Sequence, residues 1–420
     1  MTGQKRVLML GGSFTQIPAI KCVKDLGFYV VTCDYLPENP GHPFADEYHN
    51  VSTTDMEAIL ALAKELRIDG IIAYASDSAA PTAAYAADKL HLPTNPYESV
   101  MILCRKDLFR AFLAENGFNV PKSRGFYDLD KAKEFFNQME KPVMVKPADA
   151  CGSKGVQMIS DINELEEAFS YALRFSREKM VVIEGYIQHE GPQIMGDGFV
   201  VDGKLVFTAF CDHYHDDACN PFAPIGGSYP SQQSMEIRIK AEAVVQHILT
   251  LLKWKSGALN IEYLVDKKGE IYLLEIGPRN GGNFIPDMIK IAADIDLITY
   301  TIYAALGLDC SSLEMKEPHG YYAYYVLHSA RTGILKEIIF SDEIQRCIRF
   351  YQPYLNLDDE VPVFSGAHCT IGVIILEFAS REDMIEKMNN MDNYIFITVN
   401  NNIVPSISDY SGGCSSGVMR

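Results

Sequence analysis

Residues 273–282 read Leu273-Leu274-Glu275-Ile276-Gly277-Pro278-Arg279-Asn280-Gly281-Gly282, and a second acid, Glu262, stands thirteen positions before Glu275. Between them, Tyr263-Leu264-Val265-Asp266-Lys267-Lys268-Gly269-Glu270-Ile271-Tyr272 has the pattern of a strand, a tight turn at Lys268-Gly269 and a second strand. Such a hairpin sets Glu262 beside Glu275, facing one site. Two adjacent carboxylates repel unless a cation lies between them, and hard oxygen donors suit Mg²⁺ carried on nucleotide phosphates. Arg279, four residues beyond Glu275 and soon followed by two glycines, is placed to receive an anion. Either acid alone would read as part of a solvated edge hairpin. The pair, joined to a Pro-Arg-x-Gly-Gly end, points to a site.

Composition narrows the field. A chain of 420 residues is long for one core and implies two or three domains. Lys plus Arg number 37 against 55 Asp plus Glu, a net charge of −18, which disfavours nucleic acid or an anionic membrane as partner. Phosphate binding must then be local. No apolar run reaches the roughly 18 residues of a membrane span. The N-terminal Met1-Thr2-Gly3-Gln4-Lys5-Arg6 enters a strand without a signal-peptide pattern, so a cytoplasmic location is expected. The ten cysteines are scattered, with no Cys-x-x-Cys, and Cys22, Cys33, Cys104 and Cys369 sit in apolar segments. They read as free thiols in a reducing compartment.

The first hundred residues alternate strand and helix: strand 7–10, helix 16–26, strand 28–31, helix 54–66, strand 69–74, helix 78–90. This is the βαβαβα order of an open parallel sheet. Gly11-Gly12-Ser13 ends the first strand, but Phe14, Thr15 and Gln16 break any Gly-x-Gly-x-x-Gly fingerprint. Asp34, at the end of the second strand, keeps a dehydrogenase reading as a weaker alternative to a glycine turn that lets a ligand or another domain approach. Residues 97–116 look like one mainly apolar helix carrying Lys106 and Arg110. Strand 142–147 then carries Lys146 near its end. It runs into Cys151-Gly152-Ser153-Lys154-Gly155, small residues whose amides could turn towards one point as phosphate binding requires. This is not a Walker loop, and a plain β-turn would look the same without Lys146. A capped helix over 161–175, strand 179–184, a hairpin with Asp202-Gly203 at its tip and a helix over 234–254 follow. Residues 212–234 show no periodicity and read as a long functional loop.

Taken in order, these features resemble the ATP-grasp superfamily: the Lys106 helix, Val145-Lys146-Pro147, Gly152-Ser153-Lys154-Gly155, Val181-Val182-Ile183-Glu184-Gly185-Tyr186-Ile187, the acidic hairpin and the Pro278-Arg279 end. Within it, the carboxylate–amine ligases that share a fold with biotin carboxylase and carbamoyl phosphate synthase look most similar, from about residue 5 to 310. The resemblance implies an α/β ATP-grasp fold in three parts. These are a Rossmann-like pre-ATP-grasp domain (1–97), an ATP-grasp domain (98–310) with a mobile ATP lid (125–190), and a C-terminal α+β domain (311–420) ending in a mobile tail.

The resemblance also implies roles. Lys106 and Lys146 would contact ATP phosphates, and Gly152, Ser153 and Gly155 would form the phosphate lid. Glu184, with the backbone of Tyr186 and Ile187, would bind adenine. Glu190, in preference to Gln193, would meet the ribose. Glu262 and Glu275 would hold Mg²⁺, and Arg279 with Lys146 would stabilise the transferred phosphoryl group. Gly277 stands where the family places a metal-binding Asn, which puts one ligand in doubt unless water or Asn280 replaces it. The implied activity is ATP-dependent C–N ligation of a small carboxylic acid to an amine through an acyl phosphate, with a homodimer as the assembly. A carboxylation or carbamoyl-phosphate type of enzyme and a catalytically silent nucleotide-binding module are the alternatives. No Gly-x-Ser-x-Gly or similar nucleophile signature competes. Asp212-His213-Tyr214-His215-Asp216-Asp217-Ala218-Cys219 has the residue types of a metal site but lacks the second spaced pair usual for zinc, so substrate contact or a solvated loop is the preferred reading. Tyr321, Tyr322, Tyr324 and Tyr325 read as core and sheet face.

Overall fold

The computed structural model describes residues 4–400. Its first unit is a parallel sheet in the spatial order Glu47–His49, Tyr29–Cys33, Arg6–Leu10, Gly70–Ile72. Arg6–Leu10 is covered on both faces, which is why it reads as an unbroken apolar run. Leu8 and Leu10 pack with Ile59, Leu62 and Ala83 on one side. Val7 and Met9 pack with Ile20 and Val23 on the other, joined there by Ile298 and Ile302 from a helix far along the chain. The edge strand Glu47–His49, three half-buried residues, has no sequence signature.

The single helix expected over 97–116 is two helices, Tyr97–Cys104 and Lys106–Glu115. Arg105 between them is extended (φ −117°, ψ 114°) and its guanidinium pairs with Asp107 and Glu178. Lys106 therefore opens the second helix, with its amide donating to the Ala148 carbonyl at 2.8 Å. The break turns its side chain towards the loop after strand Val143–Pro147.

A four-stranded antiparallel sheet follows, in the order Ser123–Phe126, Val181–Gly185, Val143–Pro147, Gln157–Ile159, packed on helices Leu129–Phe136 and Leu165–Phe175. The capping box of Asp161 with Glu164 forms as its sequence indicates. The largest sheet has eight strands, ordered Ile271–Gly277, Gly257–Val265, Ile194–Val201, Lys204–Asp216, Asn220–Tyr229, Tyr321–Leu327, Gly372–Phe378, Ile348–Pro353. It runs across residue 310, because Asn220–Tyr229 pairs with Tyr321–Leu327. Tyr322, Tyr324 and Tyr325 are buried in it.

Residues 212–234 are thus not a long loop. Most of them belong to the two long strands Lys204–Asp216 and Asn220–Tyr229. Periodicity fails there because seven successive residues from Phe207 to His213 are buried, with both sheet faces covered. In the partner strand, Pro221, Pro224, Gly226 and Gly227 disguise a strand that has register irregularities beside His215. Gly227 is needed: a Cβ there would lie 2.5 Å from the Tyr324 ring.

The nine cysteines of the described residues are free, Cys33 and Cys369 buried, Cys22 and Cys104 half-buried. No described helix is long and apolar enough to cross a membrane. The tail expected at 411–420 lies outside the described residues.

Candidate active site

The antiparallel pairing of Gly257–Val265 with Ile271–Gly277 puts Glu262 directly opposite Glu275. The register slips immediately after Glu262, leaving Leu274 as the extra residue, a bulge that re-aims the strand end. Glu262 accepts a hydrogen bond from Gln193 Nε2 at 2.9 Å. Burial, and then the charge of Glu275, push its carboxyl up to about 7. Lys106 Nζ lies 3.6 Å from Glu275 Oε2 and donates to the Ala150 carbonyl at 2.5 Å. Burial, the largest influence, works against its charge, but Glu275 together with Cys151 and Asp77 holds the ammonium above its ordinary value. A buried carboxyl raised by a like charge, with hard oxygens opposed across a hairpin, fits a divalent cation such as Mg²⁺.

Beside these acids lies a surplus of positive charge. Lys146 Nζ is 2.5 Å from Glu184 Oε1, and Arg110 Nε donates to Glu184 Oε2 at 2.8 Å. Burial opposes ionisation of Glu184, yet Arg110 and Lys146 together pull it down to about 2. Lys146 falls below its ordinary value, through burial first and the charges of Arg110 and Lys106 besides. Two cations on one acid leave a net positive charge in a closed space, as a polyphosphate requires. Arg110 also donates to the Leu274 carbonyl at 3.0 Å, tying this cluster to the acidic hairpin.

Arg279 is held as a bidentate partner of Asp77, with Nε to Oδ1 at 2.8 Å and Nη2 to Oδ2 at 2.6 Å. Asp77 comes from the N-terminal unit, so this pair locks the first sheet to the acidic hairpin. It also accounts for Gly277, since a Cβ there would stand 2.7 Å from Asp77 Oδ1 and 3.1 Å from Arg279 Cζ. Asn280 does not join the acids. Its side chain is fully buried, with Oδ1 accepting from the Thr301 hydroxyl at 2.9 Å, and it lines a separate cavity behind the Arg279 loop. Asp197, fully buried, accepts both Gly281 N–H contacts (2.8 and 3.0 Å) and the Asn260 amide. Burial raises it to about 6, and its hydrogen bonds shape the Gly281 turn.

These groups share one cleft of about 610 Å³. Lys106, Lys146, Gly152, Ser153, Glu184, Tyr186, Ile187, Glu262, Glu275 and Arg279, all expected from the sequence, line it. Gly155 stands just outside, packed on Phe175 and Pro147, and Glu190 is exposed with its amide bonded to the Val265 carbonyl. Gln193, not Glu190, lines the cleft. Gly152, Ser153 and Gly155 have positive φ (66°, 57° and 73°), the conformation of a loop whose amides converge. The Ser153 hydroxyl donates to the Phe222 carbonyl at 2.5 Å. The opposite wall is formed by His213, His215, Phe222, Tyr324, Val326 and Phe364. His213 is buried with neither ring nitrogen hydrogen-bonded among the described residues, and burial lowers its pKa well below the ordinary value, which favours the neutral ring. Asp77, Arg110 and Asp197 carry no recognisable sequence motif. The one available signal was the position of Asp77 just beyond a parallel strand's carboxyl end, where open α/β sheets bind ligands.

An antiparallel lid sheet closing on a second sheet over opposed acids defines the ATP-grasp fold, and ATP-grasp enzymes use ATP. Residues 105–309, just under half of the chain, match the family of the carbamoyl-phosphate synthase L chain ATP-binding domain. Among solved structures it is similar to the L-amino acid ligase from Bacillus licheniformis, with a TM-score of 0.78 at 20% identity over 96% of this chain and 100% of that one. It is also similar to the 2-oxoglutarate carboxylase biotin carboxylase domain dimer of Hydrogenobacter thermophilus, solved with MgADP, ADP and bicarbonate, with a TM-score of 0.72 at 17% identity over 94% and 91%. A curated relative, the uncharacterized protein y4rH of Sinorhizobium fredii, is 29% identical over 63% of this chain and 55% of its own length. The chain spans about half or less of the first curated relatives it matches.

Proposed function

We propose that the protein is an ATP-dependent carboxylate–amine ligase. It phosphorylates a small carboxylic acid to an acyl phosphate and joins it to an amine, releasing ADP and phosphate. The observation that carries this reading is the opposition of Glu262 and Glu275, with Glu262 held at about 7, beside Lys106 and Arg279 in one cleft. Mg²⁺, bound by Glu262 and Glu275, would neutralise phosphate charge. Lys146 and Lys106 bind the phosphate chain, and the 152–155 loop covers it. Tyr186 and Ile187 flank the base at the hinge, with Glu184 holding Lys146 in place. For the ribose, the cleft position of Gln193 supports it over Glu190.

Arg279, oriented by Asp77, meets the substrate carboxylate and then the charge of the transferred phosphoryl group. The carboxylate oxygen forms the new bond to the γ-phosphorus as the bond to ADP breaks. The amine then bonds to the acyl carbon and phosphate leaves. No side-chain nucleophile is needed. The body of the acid lies against His213, Tyr324, Phe222 and Phe364, a wall that is apolar with neutral hydrogen-bonding groups. We take the assembly to be a homodimer, supported by the similarity to the biotin carboxylase domain dimer.

The test is incubation with ATP, Mg²⁺, hydroxylamine and a panel of amino, hydroxy and aryl acids. Hydroxamate together with ADP is expected for the right acid. Stoichiometric ADP release with bicarbonate alone would favour a carboxylation enzyme. ATP binding with no hydroxamate from any acid would leave a silent nucleotide-binding module.

A further inference from the structure

Asp216 and Cys219 sit at the tip of the hairpin joining Lys204–Asp216 to Asn220–Tyr229, and His328 follows the next strand of the same sheet, Tyr321–Leu327. His328 Nε2 lies 3.1 Å from Asp216 Oδ2, and Cys219 Sγ lies 3.2 Å from the same oxygen. All three potential ligand atoms fall within 4.8 Å of one another. Donors held at about 2.0–2.3 Å by a tetrahedral zinc ion are about 3.3–3.5 Å apart, close to the two spacings that Asp216 makes here.

Three further features fit a metal. Asp216 and Cys219 are separated by two residues in a tight turn, where the Asp216 carbonyl accepts the Cys219 amide (3.1 Å) and Asp216 Oδ1 accepts the Ala218 amide (2.9 Å). That is the spacing of paired zinc ligands. His328 Nδ1 bonds the Val326 carbonyl at 2.8 Å, so Nδ1 carries the proton and, in the neutral ring, Nε2 carries the lone pair. A ring nitrogen whose opposite N–H is fixed by a carbonyl is the usual arrangement of a metal-bound histidine. That nitrogen faces the Asp216 carboxylate oxygen at 3.1 Å, so both atoms point at one place. The ring itself is fixed, its side chain 8% exposed and packed 5.0 Å from Phe364.

We propose that Asp216, Cys219 and His328 form a zinc site, separate from the acidic pair at Glu262 and Glu275. A thiolate and an imidazole select a softer ion than Mg²⁺, whereas the two glutamates offer only oxygen. The sequence shows no second ligand pair near this segment because the third ligand comes from a strand 112 positions away. The zinc clamps the hairpin tip to the neighbouring strand. The same hairpin presents the Phe222 carbonyl to Ser153 and anchors through Asn220 to the Ser365 carbonyl at 2.9 Å, so the clamp fixes the cleft wall opposite the phosphate loop.

The experiment uses the full chain, purified without chelators, then stripped and titrated with Co²⁺. About one equivalent of zinc per chain and a thiolate-to-cobalt charge-transfer absorption are expected. Both should be lost, or binding weakened at least a hundredfold, in Cys219→Ser and in His328→Gln. A chelator should lower the melting temperature of the wild type but not of Cys219→Ser. If either variant fails to fold, the wild-type cobalt spectrum and chelator response decide by themselves. A natively folded wild type with neither zinc nor the cobalt band overturns the proposal, leaving a hydrogen-bonded contact between His328 and Asp216. Zinc retained equally by both folded variants also overturns it, since the ion then sits elsewhere.

Discussion

Glu262→Gln should make the metal-free protein more stable at alkaline pH while removing its turnover. Glu262 faces Glu275 across the hairpin, and burial followed by that neighbouring charge holds its carboxyl at about 7 against an ordinary 4.5. In the unfolded chain the acid ionises at the lower value. Below pH 4.5 it is protonated in both states and costs nothing; the cost of folding then grows as pH rises to about 7 and stays constant above. At about 1.36 kcal/mol per pH unit, the limit of that cost is about 3 kcal/mol. The carboxyl borders the cleft, so solvent screening brings the expected gain to about 1–2 kcal/mol. Glutamine keeps an oxygen for the Gln193 amide, so little packing is lost. Thermal melts without metal should show a small difference at pH 5 and a variant melting a few degrees higher at pH 8. ATP with Mg²⁺ should raise the wild type and leave the variant nearly unmoved. A wild-type-to-variant difference that does not change between pH 5 and pH 8 would refute the reasoning.

Lys146→Ala removes one of two cations on Glu184 and a charge-assisted contact to phosphate worth about 1.5–3 kcal/mol. Calorimetry should then find ATP binding weakened by about ten- to a hundredfold, and an unchanged Kd would count against its role. Gly277→Asn restores the residue type usual in the superfamily, yet its Cβ would crowd the Asp77–Arg279 pair at 2.7 Å. The expected result is a lower melting temperature with no tightening of the Mg²⁺ titration; a tighter titration at unchanged stability would show that the pair yields. In the hydroxylamine assay, Arg279→Lys should lose most hydroxamate formation, because an ammonium cannot reproduce the bidentate contact to Asp77 that orients the guanidinium. Full activity in that variant would exclude Arg279 from charge stabilisation.

Local chemistry was legible wherever neighbours in sequence are neighbours in space. The Lys268-Gly269 turn, the Asp202-Gly203 hairpin, the Asp161/Glu164 cap and the opposition of Glu262 to Glu275 each depend on a dozen or so residues, and each forms as its residues indicate. The two strands within 204–229 were not legible, because burial on both faces removes the alternation that identifies a strand, and proline with glycine then imitates a loop. The break at Arg105 was hidden for another reason. Its extended backbone goes with the Arg105 contact to Glu178 and the Lys106 amide's bond to Ala148, both in a different part of the fold.

The same division holds in the cleft. The sequence by itself determined the ATP-grasp order of elements and the acids, Lys146 and loop of the cleft, since the hairpin pairs the acids through local hydrogen bonds and Lys146 stands just before the glycine loop; Lys106 was marked by the family resemblance alone. Only the tertiary structure decided what each charge is worth. Arg110 reaches Glu184 across 74 positions, Asp77 reaches Arg279 across 202, and His328 reaches Asp216 across 112. Charge pairs of that kind leave no spacing to read. They depend on packed sheets bringing distant residues to one low-dielectric place, where a few ångströms settle whether a carboxyl sits at about 2, as in Glu184, or at about 7, as in Glu262.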